Sequence, residues 1–297
     1  MSVLVTGDGE IVDPDRPMLF ADDLAALRGD GVFETLLVRA GRARLIDAHL
    51  DRLTAGAAAL ALPAPDEAAL RRAIDVAVGE WTTRSGVPRS VVPEGVLRIS
   101  YSRGRESRPE AGPTCYLTVG PVADRVALAR RDGIAVLTLE RGWTAQAHDA
   151  PWLLAGIKAL AYAGNIAALR YAADRGADDA IFVGPDGAVW EGPRSTVVIA
   201  RGSELVTPPR SGPILPGTTQ AALFAQAAAQ GMSAVEAPLT VDDLRRADGV
   251  WLLSSITLAA RVHTLDGTAL RAPAPEHLEV ATLVDAAVAA DETGQFA

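Results

Sequence analysis

The 297-residue sequence is long enough for one large domain or two ordinary ones, and 49% hydrophobic with 22% charged residues excludes a wholly disordered chain. A net charge of −9 argues against nonspecific binding to nucleic acid or an anionic membrane. The single cysteine, Cys115, excludes an intrachain disulfide framework and a cysteine-rich zinc site. No apolar stretch reaches the roughly 20 residues of a membrane span. The opening residues read as strand and turn, not as a basic leader, so a soluble cytoplasmic protein is expected.

Residues 2–13 read as a hairpin turning at GDGE. A short helical segment ends at Gly29, VFETLLVR alternates as a strand, and AGRAR turns into another. Helical spacing runs from His49 to Leu60, and after Pro63 and Pro65 a second helix spans residues 67–78. The loop 82–94 precedes the strands GVLRISYSR and CYLTVGPV, and GIAVLTL opens the second half. A long helix is expected over residues 152–176, followed by the strand–turn–strand AIFVGPDGAVWEGP and the hairpin STVVIARGSELVTP. Helices at 218–231 and 276–290 flank a short helix, the strand of VWLLSS and the strand of AARVHTLDG. The whole reads as α+β: an N-terminal α/β domain at 1–122, a linker at 123–130 and a C-terminal α/β domain at 131–297.

Of 28 basic residues only Lys158 is a lysine. Arginine cannot do amine chemistry with a carbonyl, so Lys158 is the one side chain able to, unless it is a surface accident. Glu191 follows a turn and precedes an arginine and a hydroxyl pair, where an ordinary surface glutamate is the default. Arg52 lies on the first turns of a helix, where an i,i+4 ion pair is the bland alternative to anion binding. The four histidines, at 49, 148, 263 and 277, lack metal-ligand spacing, and no G-x-S-x-G occurs.

Four tracts now line up: RGDGVFET at 28–35, HLDRL at 49–53, Lys158 with YAGN at 162–165, and the stretch from Glu191 to Thr219 that ends in ILPGTT. In this order and spacing they resemble the class IV pyridoxal-phosphate enzymes of the branched-chain and D-amino-acid aminotransferase fold. The family also contains 4-amino-4-deoxychorismate lyase. The resemblance implies a two-domain fold type IV enzyme, similar to D-amino-acid aminotransferase, whose C-terminal domain binds pyridoxal 5'-phosphate (PLP). It assigns Lys158 as the Schiff-base amine and catalytic base, and Glu191 to the pyridine nitrogen. Arg52, Gly217, Thr218, Thr219 and Ser255 fall at the phosphate, Ser195 and Thr196 elsewhere at the cofactor, Leu215 at the ring face and Tyr162 at the ring oxygen. A homodimer acting on a small molecule, with no metal, is implied.

The choice of reaction rests on the pocket. D-amino-acid aminotransferases resemble one another in an Arg-x-His segment, and here Arg108-Pro109-Glu110 puts a carboxylate where it would repel a substrate carboxylate. Ser254-Ser255-Ile256-Thr257 replaces the Gly-Thr-Ala loop usual in branched-chain enzymes. The Ser-Ser loop, the strand end Ser102-Arg103-Gly104 and the compact chain look closest to aminodeoxychorismate lyase, which implies conversion of 4-amino-4-deoxychorismate to 4-aminobenzoate and pyruvate in folate synthesis. An aminotransferase acting on D-alanine or branched-chain amino acids is the alternative. Thr35, Arg103, Arg108 and Thr257 are the expected substrate contacts, the arginines because the substrate is a dicarboxylate.

Overall fold

The structure is a computed structural model that describes residues 2–272 and 280–290. The chain divides into two compact units, one of Met1–Ala123 with Ile157–Tyr162 and the other of Asp124–Gly156 with Ala163–Ala297.

In the first unit β1 (Val3–Thr6) and β2 (Ile11–Val12) form the opening hairpin. Helix α1 (Leu24–Arg28) starts on Asp23, whose carboxylate accepts from the Ala25 N–H at 2.8 Å, and stops on Gly29 at φ +66°. Strands β3 (Gly31–Arg39) and β4 (Arg42–Ala43) precede helices α2 (Ile46–Ala59) and α3 (Glu67–Ser85). β5 (Gly95–Ser102) and β6 (Thr114–Pro121) complete an antiparallel sheet in the order β2-β1-β6-β5-β3-β4. Period-two alternation turns Val32, Leu36, Leu97, Ile99, Leu117 and Val119 to one face, where Leu50, Leu53, Leu70, Ile74 and Trp81 of α2 and α3 cover them.

The second unit opens with α4 (Asp124–Asp132) and β7 (Ile134–Glu140), then α5 (Ala163–Ala173) and β8 (Asp179–Val183). The hairpin β9 (Thr196–Arg201) and β10 (Glu204–Thr207) leads to α6 (Thr218–Ala229) and β11 (Ser233–Glu236). There follow α7 (Val241–Arg246), β12 (Gly249–Ser254), β13 (Leu258–Leu265), β14 (Thr268–Ala269) and α8 (Val280–Ala290). The sheet runs β11-β10-β9-β12-β13-β7-β8, with β14 added to β13. The pairs β7–β8, β7–β13 and β10–β11 are parallel; β7 reaches β8 through α5, and β10 reaches β11 through α6. Ile181, Val197, Ile199, Val250, Leu252 and Val262 centre this core.

Several expectations need correction. Residues 124–130 of the segment read as a linker belong to α4, which runs on to Asp132 and buries Val126. The long helix expected over 152–176 is only the eleven residues of α5. Upstream, Gly156 at φ +78° breaks the helical path, and the chain then runs alongside β3. There Lys158 O accepts from Phe33 N–H at 3.0 Å, and Leu160 N–H donates to Gly31 O at 2.8 Å. Lys158 therefore lies on an extended segment. Helix α3 runs past residue 78 to Ser85 and is capped by Gly86, with Thr82 and Thr83 bonded back to the Val78 and Gly79 carbonyls and Arg84 paired with Glu80. Residues 276–279 of the last expected helix lie outside the described residues.

Gly31 is where β3 meets this extended segment most closely. A Cβ there would stand 2.5 Å from the Tyr101 carbonyl, 2.7 Å from Leu160 Cδ1 and 2.8 Å from Ser102 Cα. Gly31→Ala is expected to destabilise the fold by about 1–3 kcal/mol, read as a lower urea midpoint at an unchanged m-value. An unchanged midpoint would show that the approach is not tight.

Candidate active site

Two groups of side chains, one in each unit, hold the residues expected at the cofactor. The first is built on β3. Its Phe33 ring has Lys158 Nζ 4.5 Å and Arg98 Cζ 5.3 Å from its centroid, and Tyr162 packs edge-on against it with ring centroids 5.2 Å apart. Lys158 Nζ also lies 5.6 Å from the Tyr162 ring. The amine is half-buried and held by aromatic faces, which attract a cation yet leave a neutral amine able to react. Thr35 is half-buried on the sheet face that carries Phe33, with Arg98 opposite it on β5.

The next residue of β3 is Glu34, which points the other way, into the core, and is fully buried. Arg52 grips it with Nε on Oε1 at 2.7 Å and Nη2 on Oε2 at 2.8 Å, and His49 Nδ1 lies 2.6 Å from Oε2. Arg52 and His49 are three residues apart on α2, so both reach the same carboxylate. Burial alone would raise the Glu34 carboxyl, but the charges and hydrogen bonds of Arg52 and His49 override it and hold it far below the usual carboxylate range. Burial pushes the His49 imidazole down from its ordinary value, partly opposed by Glu34. An ionised carboxylate only accepts, so the short contact assigns the His49 proton to Nδ1. The guanidinium of Arg52, expected at a phosphate, is thereby fixed in plane by a buried partner.

Neither Glu34 nor His49 was singled out from the sequence. The signal was there: in VFETLLVR, Glu34 takes an inward position between Val32 and Leu36, and a buried carboxylate demands a cation. Arg103, expected at the substrate, instead ties the chain together. Its Nε bonds Asp30 at 2.6 Å, and its Nη atoms bond the carbonyls of Leu60 at 2.8 Å and Ala61 at 3.1 Å. Arg108 is exposed at the head of the turn 109–111.

The second group lies at the start of α6 and around Glu191. Glu191 Oε2 accepts from the Leu215 N–H at 2.9 Å, and Oε1 lies 3.4 Å from Arg141 Nη1. Arg141 is a further residue that sequence reasoning missed, and an arginine beside Gly142 and Trp143 carries no distinctive pattern. Helix α6 begins on Gly217 with no side-chain cap, and first-turn amides of a helix have no intrahelical acceptor. Thr196, Thr218 and Thr219 are buried there, and a Cβ on Gly217 would collide with Thr196 Oγ1. Ser195 Oγ and Thr219 Oγ1 are buried without a hydrogen-bond partner among the described residues. The orphaned Thr219 hydroxyl at an uncapped helix N-terminus, with Thr196 Oγ1 against Gly217, suits a phosphate, so this donor set fits PLP. Ser255 and Thr257 occupy the turn between β12 and β13, where Arg130 donates to the Ile256 and Thr257 carbonyls.

The buried trio gives a sign-definite expectation. Both Glu34 and His49 bind fewer protons folded than unfolded, so stability falls as pH drops, first below the ordinary histidine value of 6.5 and then below the glutamate value of 4.5. Glu34→Gln leaves Arg52 partly buried without its counter-charge and is expected to cost about 3–5 kcal/mol at neutral pH. Urea unfolding between pH 4 and 8 checks both statements. A flat wild-type profile would contradict the shifts, and a variant as stable as wild type would contradict the pairing.

Comparison with known proteins identifies the family. The family model described as amino-transferase class IV matches residues 31–265. The chain is 54% identical to a bifunctional aminodeoxychorismate lyase / D-amino acid transaminase of Mycobacterium tuberculosis, over 97% of this chain and 100% of that protein. The solved structure of an aminotransferase from Mycobacterium tuberculosis in its PLP-bound form superposes with a TM-score of 0.92 at 54% identity, covering 98% of this chain and 100% of the other. The same enzyme has also been solved in an alpha-ketoglutarate and PMP bound form, with a TM-score of 0.91 at 54% identity over 97% of this chain and 99% of the other. A 4-amino-4-deoxychorismate lyase from Pseudomonas aeruginosa matches with a TM-score of 0.74 at 25% identity, over 96% of this chain and 97% of that one. The two sheets with their helices have the architecture of these fold type IV neighbours, and the chain belongs to the class IV aminotransferases, a PLP-dependent enzyme family.

Proposed function

We propose that this protein is a PLP-dependent aminodeoxychorismate lyase that converts 4-amino-4-deoxychorismate to 4-aminobenzoate and pyruvate. The observation that carries the reading is the placement of the only lysine: an extended segment bonded to β3 holds its amine against Phe33 and Tyr162. When bound, PLP supplies an electron sink in conjugation with the amine-bearing carbon of the substrate.

The chain supplies the rest. Lys158 is the amine that holds the cofactor and the base that takes the proton from the amine-bearing ring carbon. The carbon–oxygen bond to the enolpyruvyl group then breaks, the ring becomes aromatic, and the departing enol gains a proton to become pyruvate. Glu191 keeps a proton on the pyridine nitrogen. The first-turn amides of α6, with Ser195, Thr196, Thr218, Thr219, Ser255 and Arg52, bind the phosphate. Leu215 lies on the ring face and Tyr162 donates to the ring oxygen. Arg98 and Arg108, both exposed cations, are candidates for the two substrate carboxylates, with Thr35 opposite Arg98 on the sheet and Thr257 a further candidate contact.

The product suits folate synthesis in the cytoplasm. Helix α5 buries only Ala172 and exposes Ile166 and Tyr171, which favours a second copy of the chain as a partner. A D-amino-acid aminotransferase activity on the same residues is the second reading, favoured by the bifunctional name of the relative that shares 54% identity.

The test is to incubate PLP-loaded protein with 4-amino-4-deoxychorismate in the absence of any keto acid and to quantify both products by chromatography. Equimolar 4-aminobenzoate and pyruvate over many turnovers are expected, with Lys158→Ala slower by at least about a thousandfold. Wild-type protein that forms neither product, yet exchanges the amino group of D-alanine with alpha-ketoglutarate, would replace the lyase reading with the transaminase one.

A further inference from the structure

Arg141 is absent from every role assigned above, yet its surroundings are specific. Its backbone N–H donates to the Val183 carbonyl at 3.1 Å, which ties the residue after β7 to the end of β8. Its guanidinium carbon lies 3.9 Å from the Trp143 ring centroid and 4.6 Å from that of Phe182. From there Nη1 reaches Glu191 Oε1 at 3.4 Å, while the Leu215 amide holds Oε2. The side chains of Arg141 and Glu191 are only 22% and 13% exposed, so solvent screens the pair far less than a surface ion pair. Two rings confine the cation, and a cation and an amide between them fix both oxygens of one carboxylate.

We propose that Arg141 is a positioning residue for Glu191: it holds the carboxylate ionised and in one orientation, ready to receive the protonated ring nitrogen of PLP. The inference rests on the assignment of Glu191 in the reading above and adds to it the residue that sets its charge. The physical reason is that Arg141 bonds the charged carboxylate more strongly than the neutral acid. Without that cation, Glu191 would be a partly buried carboxyl stripped of its counter-charge, more readily neutral and less firmly held. A neutral Glu191 would not keep the ring nitrogen protonated. The effect of losing Arg141 should therefore resemble that of losing the Glu191 charge. A purely structural arginine would not produce that resemblance.

The test compares wild type, Glu191→Gln, Arg141→Gln and Arg141→Lys as full-length proteins stripped of cofactor. Each is titrated with PLP by visible absorbance and tryptophan fluorescence, and the pH dependence of the visible band is then recorded. Arg141→Gln is expected to raise the PLP dissociation constant at least about tenfold and to move the pH midpoint in the same direction as Glu191→Gln. Arg141→Lys, which retains the charge but not the fork, should fall between Arg141→Gln and wild type in both readouts. If Glu191→Gln shifts both readouts while the Arg141 variants match wild type, the inference is overturned and the assignment of Glu191 stands. If Glu191→Gln itself matches wild type, that assignment falls and the inference with it. Urea unfolding of each stripped protein checks folding. Should Arg141→Gln not fold, Arg141→Lys carries the test, and wild-type behaviour from it overturns the inference.

Discussion

Two backbone hydrogen bonds organise the first unit: Phe33 N–H to Lys158 O, and Leu160 N–H to Gly31 O. They draw residues 157–162 onto β3 although more than 120 residues separate the two in sequence. Everything else about Lys158 follows from this pairing. Bonded along β3, the extended segment sets the Lys158 amine 4.5 Å from the ring centroid of Phe33 on the strand beside it. The pairing also explains two glycines. A side chain at Gly29 would meet the Ala161 backbone at 2.9 Å, and one at Gly31 would press on Leu160.

The same strand performs opposite tasks on its two faces. Phe33 presents an aromatic surface to the amine, and Glu34 sends a carboxylate into the core to meet Arg52 and His49. A buried charge is tolerated because three groups satisfy one another, and the arrangement fixes an arginine whose planar fork suits phosphate. In the second unit the corresponding economy is at α6. Its start has no side-chain cap, and the Thr219 hydroxyl in its first turn is buried without a partner among the described residues. That cost makes sense where an anion completes the hydrogen bonds.

Much of the fold was legible in the sequence because it rests on local rules. Alternation revealed β3, β5 and β6, Asp23 and Gly29 bracket α1, and the hairpin β9–β10 follows its turn. The residues 152–176 misled because their alanines and leucines favour a helix, whereas the pairing with β3 that keeps residues 157–162 extended is invisible to any local window. For the candidate site, residue types were readable and partners were not. Arg52 stood out as an anion binder, but its grip on Glu34 depends on the crossing of α2 and β3. Arg103 looked like a carboxylate trap, yet Asp30 and two carbonyls occupy it. Arg141 lies 50 residues before Glu191, and only the parallel pairing of β7 with β8 brings them together.

The central claim is that Lys158 is the amine at which the cofactor attaches. Borohydride reduction of the PLP-loaded protein, followed by peptide mapping with mass spectrometry, addresses it directly, because no other side chain in the sequence carries an amine. The account predicts one reduced adduct per chain, on the peptide that contains Lys158. No adduct, or an adduct confined to the N-terminal amine, would contradict it.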